Sequence, residues 1–162
     1  MPTLIGVNPT ATITSSEYTT KGVSFGLGDR HTDHIGNEWV FVQASGAITK
    51  YDAVLVKPSY LASSLTPALA ITPGFIGFAQ VAFADTDYGW VMTRGIPVIR
   101  VANGCPSNVP LYTTDTAGVL DRLTGSLSQY QVQGVVTDYS VSSSLSFATA
   151  GASFPLIRRP QA

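Results

Sequence analysis

From Glu38 to Ile157 the chain is broken by a turn signal every few residues, and the runs between the turns are too short for helices. The densest stretch is Gly77 to Gly95, GFAQVAFADTDYGWVMTRG, which reads as strand, tight turn and strand with no catalytic side-chain cluster between them. Around it lie EWVFVQA (38–44) before Ser45-Gly46, AVLV (53–56) before Lys57-Pro58, and FIGFAQVAF (75–83). Their β-branched and aromatic content suits a pleated, half-buried surface. Ile96 to Val101 follows Gly95, and Pro97 removes a ladder donor there, which places that strand at an edge or a bulge.

Further on, Val109 to Thr113 and Val119-Leu120 flank TDTAG (114–118) as a hairpin loop. Gln129 to Thr137 alternates polar and apolar residues, and Ser144 to Thr149 and Ser153 to Ile157 read as the last strands. Helical periodicity is confined to Ser59–Leu69, where Leu61, Leu65 and Leu69 recur at spacing four and Pro67 interrupts, so at most a turn or two of helix is expected. The pattern predicts an all-β fold, a compact β-barrel or sandwich of jelly-roll- or tulip-like kind, with an extended N-terminal arm. No 20–50-residue repeat of the solenoid type is visible.

Two units are expected: an arm over residues 1–24 and a single β domain over 25–162. Pro2 and Pro9 disfavour helix, and Ala11-Thr-Ile-Thr-Ser-Ser alternates weakly like an exposed strand. Leu4, Ile5, Val7 and Ile13 are more apolar than a solvated tail needs, and an arm adding a strand to a partner's sheet edge would use them. Gly26 and Gly28 permit the sharp turn at which the folded domain begins.

Charge narrows the partners. Only 12% of the 162 residues are charged, against roughly 25% in an average globular protein. Ser and Thr must then supply polar surface, or part of the surface is covered in an assembly. The net charge is −1 and the one basic pair is Arg158-Arg159, so the clustered footprint that nucleic acid requires is missing. No membrane is expected either, since no run reaches 18 apolar residues. The start has neither the basic nor the long apolar region of a secretory signal. Cys105 is the lone cysteine, which suits folding in a reducing cytoplasm.

Asp29, His31, Asp33 and His34 form the densest polar cluster, GDRHTDH. Imidazole and carboxylate together can hold a divalent metal, but the loop lacks the helical HExxH arrangement and reads as an exposed polar turn. A second reading puts His31 and His34 in a contact between subunits or with a larger assembly, whose strength varies near pH 6. No GxSxG elbow, no GxxxxGK[ST] and no GxGxxG before a helix occurs, so neither hydrolase nor nucleotide chemistry has a motif. Cys105 lacks a His or cationic neighbour in sequence and reads as a packed apolar residue. No enzyme activity, cofactor or metal is expected.

Four blocks resemble the small decoration, or cement, proteins of tailed-bacteriophage heads: FGLGDR with EWVFVQASGAI, then YDAV, then GFAQVAFADTDYGWVMTRG, then LYTTDTAGVLD with QGVV. The resemblance spans about Phe25 to Arg158. It implies a virion protein made in the host cytoplasm and carried on the outer capsid surface. Such a protein bridges major capsid protein subunits, often as a homotrimer, and stabilises the DNA-filled head. Leu4, Ile5, Val7 and Ile13 then become capsid-contact candidates, and Tyr88 and Trp90 subunit-interface or core candidates. The alternative in the same class is a head-fibre base or tail-associated trimeric β protein that contacts a host surface. A third class, a small β enzyme or sugar-binding module, would need a polar pocket around Asp29–His34.

Overall fold

A computed structural model describes residues 7–125, 129–138 and 147–158. The fold is all-β, a closed five-strand barrel with outer strands. After a short helix α1 (Ser15–Thr20) come β1 (Arg30–Thr32), β2 (Glu38–Ala44), β3 (Ala53–Val56) and β4 (Leu61–Ser64). One turn of helix, α2 (Pro67–Ala70), leads to β5 (Phe75–Ala79), β6 (Tyr88–Gly95) and β7 (Val98–Arg100). The chain then forms β8 (Leu111–Thr113), β9 (Leu120–Asp121), β10 (Gln131–Thr137) and β11 (Phe147–Arg158).

The barrel runs β2-β4-β3-β5-β6 and closes because β6 pairs back onto β2, from Glu38 opposite Arg94 to Gln43 opposite Tyr88. All its pairings are antiparallel except β2 with β4, where Gln43 and Ala44 lie beside Leu61 and Ala62. Side-chain alternation explains why β2 and β3 read as unbroken apolar runs: both their faces are buried. Val40, Val42, Val54, Val56 and Val91 fill the barrel, with Ala44, Ala62 and Ala79 as its small members. A five-strand barrel has a narrow lumen, and short side chains fit it.

The opposite faces build two further cores. Ala53, Leu55, Ile76 and Phe78 pack against Ile99, Leu111, Leu120, Val132 and the alanines of β11. On the β2–β6 side, Trp39, Phe41, Trp90 and Met92 lie under Val7, Ile13, Tyr18 and Phe25. The outer strands continue from β6 through β11, β10 and β8 to β9, and β7 pairs with β11.

Several sequence expectations change here. The described part of the expected arm lies against the barrel. Ile13 exchanges two 2.8 Å backbone hydrogen bonds with Tyr88, so its strand partner is this chain's own β6. The helix that follows starts in a capping box: the Thr14 hydroxyl accepts from the Glu17 amide, and the Glu17 carboxylate accepts from the Thr14 amide. The helical spacing over Ser59–Leu69 splits into β4 and α2. Tyr60, with φ +60°, turns the chain after Pro58 so that β4 folds back on β3. Pro67 does not interrupt a helix but opens one, behind the N-cap Thr66. The strand expected over 75–83 ends at Ala79, and Phe83 makes a separate bridge to Ile48.

The two strands expected near the end are one, β11; residues 144–146 of the first lie outside the described residues. It stays continuous through a bulge against β10: Gln133 faces Leu156 and Val135 faces Ala152, which leaves Gly134 opposite three residues. Gly134 (φ +80°) and Phe154 (φ +46°) both take left-handed backbone at this bulge.

Candidate functional site

The polar loop that offered a metal site is a turn-building device. Asp29 accepts the Gly26 amide at 2.8 Å and fixes the entry to β1. Asp33 closes the turn to β2 by accepting from the amides of Ile35 and Asn37 at 3.0 Å and from the Asn37 side-chain amide at 2.8 Å, with the Trp39 indole N–H further out at 3.4 Å. Burial pushes the Asp33 carboxyl up, but these donors outweigh it and hold the group below the usual aspartate range. His31 lies edge-on to Trp90 with ring centres 6.1 Å apart. Among the described residues no three His, Cys, Asp or Glu side chains are grouped to hold a metal.

A second polar centre had no sequence signal. Asp52, 2% exposed, accepts from the Thr49 amide at 3.1 Å and the Ser64 hydroxyl at 2.6 Å, and it pairs with the Arg100 guanidinium. Gly118, at φ +74°, passes so close that a Cβ there would overlap the Asp52 carboxylate. Its amide donates to the Leu65 carbonyl, and its carbonyl accepts from the Ala53 amide. The centre therefore ties β3, β4 and β7 to the β8–β9 loop. Among the described residues no buried side-chain polar atom is left without a hydrogen-bond partner, and the role of this centre is to join barrel and outer strands. Cys105 lies buried in the same outer core. Burial pushes its thiol up and the Asp121 carboxylate adds to this, against the opposing pull of the Arg122 amide. That is the state of an unreactive structural thiol.

The remaining candidates divide. Val7 and Ile13 are half-buried on the Trp39–Trp90 cluster, so their apolar faces are used within the chain. Leu4 and Ile5 lie outside the described residues. Trp90, 3% exposed, is a core residue. Tyr88 is half-buried and stacks on Tyr18 with ring centres 3.9 Å apart and planes 7° from parallel.

The surface that stands out is at the end of the barrel where the β1–β2 turn, the end of β6 and the β11 bulge meet. Asn37 joins the first two, its side-chain oxygen accepting from the Ile96 amide at 3.3 Å beside Gly95. Arg94 connects to the third: it pairs with Glu38 at 2.9 Å and lies over the Phe154 ring at 5.9 Å. Four large apolar residues are exposed around this junction: Ile35 (70%), Ile96 (65%), Leu156 (55%) and Phe154 (46%). Between β5 and β11 the surface dips into a cavity of about 150 Å³ lined by Phe75, Ile76, Thr93, Phe154, Pro155, Leu156 and Arg30. It arises because β5 leaves β6 after the Phe78–Met92 pair, while β11 joins β6 only at Arg94 and Gly95. Sequence reasoning missed this end. Ile96 and Leu156 look like ordinary strand residues until the bulge and the splay of β5 set which way they face. No protein-family model matches the sequence, and comparison with curated proteins found no match.

Proposed function

We propose that this chain is a structural virion protein, a decoration protein held on the outer surface of a tailed-phage capsid, where it bridges major capsid protein subunits as a homotrimer. The observation that carries this reading is the apolar end of the barrel. Ile35, Ile96, Phe154 and Leu156 are exposed together on a molecule with only 12% charged residues. Clustered exposed apolar side chains mark surfaces that meet another protein. The resemblance of its strand and turn blocks to head-decoration proteins supplies the partner. A modest interface suffices on a shell, because many copies and several contacts per trimer raise avidity without a new kind of contact.

Two stretches of the chain then divide the labour. The Val7–Phe25 segment covers the Trp39–Trp90 cluster and keeps the barrel wall intact. The apolar end is left for partners. Co-sedimentation with undecorated phage heads tests the reading. Saturable binding to expanded heads, with none to unexpanded shells, is the expected outcome. Absence of binding to either removes the decoration role.

A further inference from the structure

The cavity at the apolar end has a feature that plain hydrophobic contact does not use. Arg30 lies at its mouth, exposed, and among the described residues no carboxylate pairs with it, whereas Arg94 and Arg100 are paired with Glu38 and Asp52. Its strand position explains the placement. Arg30 faces Val40 across β1–β2, and Val40 points into the barrel, so the Arg30 side chain emerges on that same face at the barrel's end. The other lining residues are apolar except Thr93, whose hydroxyl is occupied in donating to the Glu38 carbonyl at 3.3 Å. A cavity near 150 Å³ lined by such residues accepts a group about the size of benzene.

The wall on the β11 side is held in an unusual conformation. Phe154 is a bulky residue in left-handed backbone, a strained state that persists only where surrounding structure imposes it. Here the bulge opposite Gly134 and the Arg94 guanidinium over the ring fix it. The outcome is a preset apolar slot with a free cation on its rim.

We infer that the cavity between β5 and β11 is a docking site for a partner protein segment that presents one Leu- or Phe-sized side chain next to a carboxylate. The apolar side chain fills the slot between Phe75 and Leu156, and the carboxylate pairs with Arg30. This inference takes the apolar end as a docking surface, as above, but does not depend on the partner being a capsid.

Amide-resolved NMR titration of the full chain with N-acetyl-phenylalaninate, N-acetyl-phenylalaninamide and N-acetyl-alaninate tests it. The first probe is expected to give saturable shifts at Ile76, Thr93 and Leu156. The amide is expected to bind about two- to five-fold more weakly, the span an exposed ion pair supplies, and the alanine probe not to saturate. Arg30→Gln should erase the difference between acid and amide while leaving the slot. Leu156→Glu should abolish binding with amide dispersion retained, since that side chain is largely exposed. Equal affinity for acid and amide, or no saturable shift at these residues, overturns the inference. So do groove resonances that move with protein concentration alone, which would make a second copy of the chain the occupant. A chain that fails to sediment with heads yet passes this titration loses the capsid reading and keeps the groove.

Discussion

A carboxylate that accepts several hydrogen bonds in the folded state links stability to pH, and Asp33 is placed to do so. Its folded-state pKa lies below the ordinary aspartate value of about 3.9. It therefore stabilises the fold at pH above that value, and the contribution is lost as pH falls through the depressed one. Asp33→Asn should lower the melting temperature at pH 7 and flatten its decline between pH 5 and pH 2. Identical curves for variant and parent would remove Asp33 from acid stability. Asp52 makes a larger demand, because removing it leaves a guanidinium largely withdrawn from water. Asp52→Ala should cost about 3–5 kcal/mol in denaturant unfolding, with part recovered in the double variant with Arg100→Ala. Gly118→Ala should cost more than the roughly 1–2 kcal/mol of left-handed strain, since its Cβ meets Asp52. Neither centre was legible as such. GDRHTDH shows its chemistry in sequence but not that the donors are the loop's own amides. Asp52, Ser64, Arg100 and Gly118 are far apart in the chain, and only the fold brings them together.

At the scale of elements, local chemistry was readable where it sat in one short stretch. The hairpin around TDTAG appears as β8 paired with β9, Tyr112 opposite Asp121 and Thr113 opposite Leu120. Thr14-Ser-Ser-Glu17 is a complete capping-box signature in the sequence, and it locates α1 better than the weak alternation over Ala11–Ser16. The leucine spacing over Ser59–Leu69 misled because period four also contains period two. Leu61 belongs to a strand, Leu65 to the outer core, and Leu69 to a single helical turn. The α1 segment makes a testable unit. Tyr18 stacks on Tyr88 and donates to the Phe25 carbonyl at 3.1 Å, which holds the segment over both tryptophans. Tyr18→Ala should cost about 1–3 kcal/mol and shift tryptophan emission to the red while far-ultraviolet dichroism keeps its β form. An unshifted emission maximum would mean that the segment stays down without this ring.

For the whole molecule, scarce charge and a cluster of exposed apolar residues describe a surface suited to company. Light scattering at micromolar concentration is expected to give a trimer mass, and a monomer there would oppose the assembly proposed above. The all-β class was legible because short apolar runs between turns leave no other option. The choice between barrel and sandwich was not, since it depends on β6 meeting β2 with Glu38 opposite Arg94. Barrel closure has a consequence for biosynthesis. All five barrel strands come from the uninterrupted stretch 38–95, so a nascent chain can close its barrel before β7 to β11 have emerged. Leu55, Ile76 and Phe78 then face solvent until β7 to β11 arrive to cover them. The interval between barrel closure and the emergence of β7 to β11 is when this chain is most exposed to aggregation, and a translational pause that begins once β6 has left the ribosome would lengthen it.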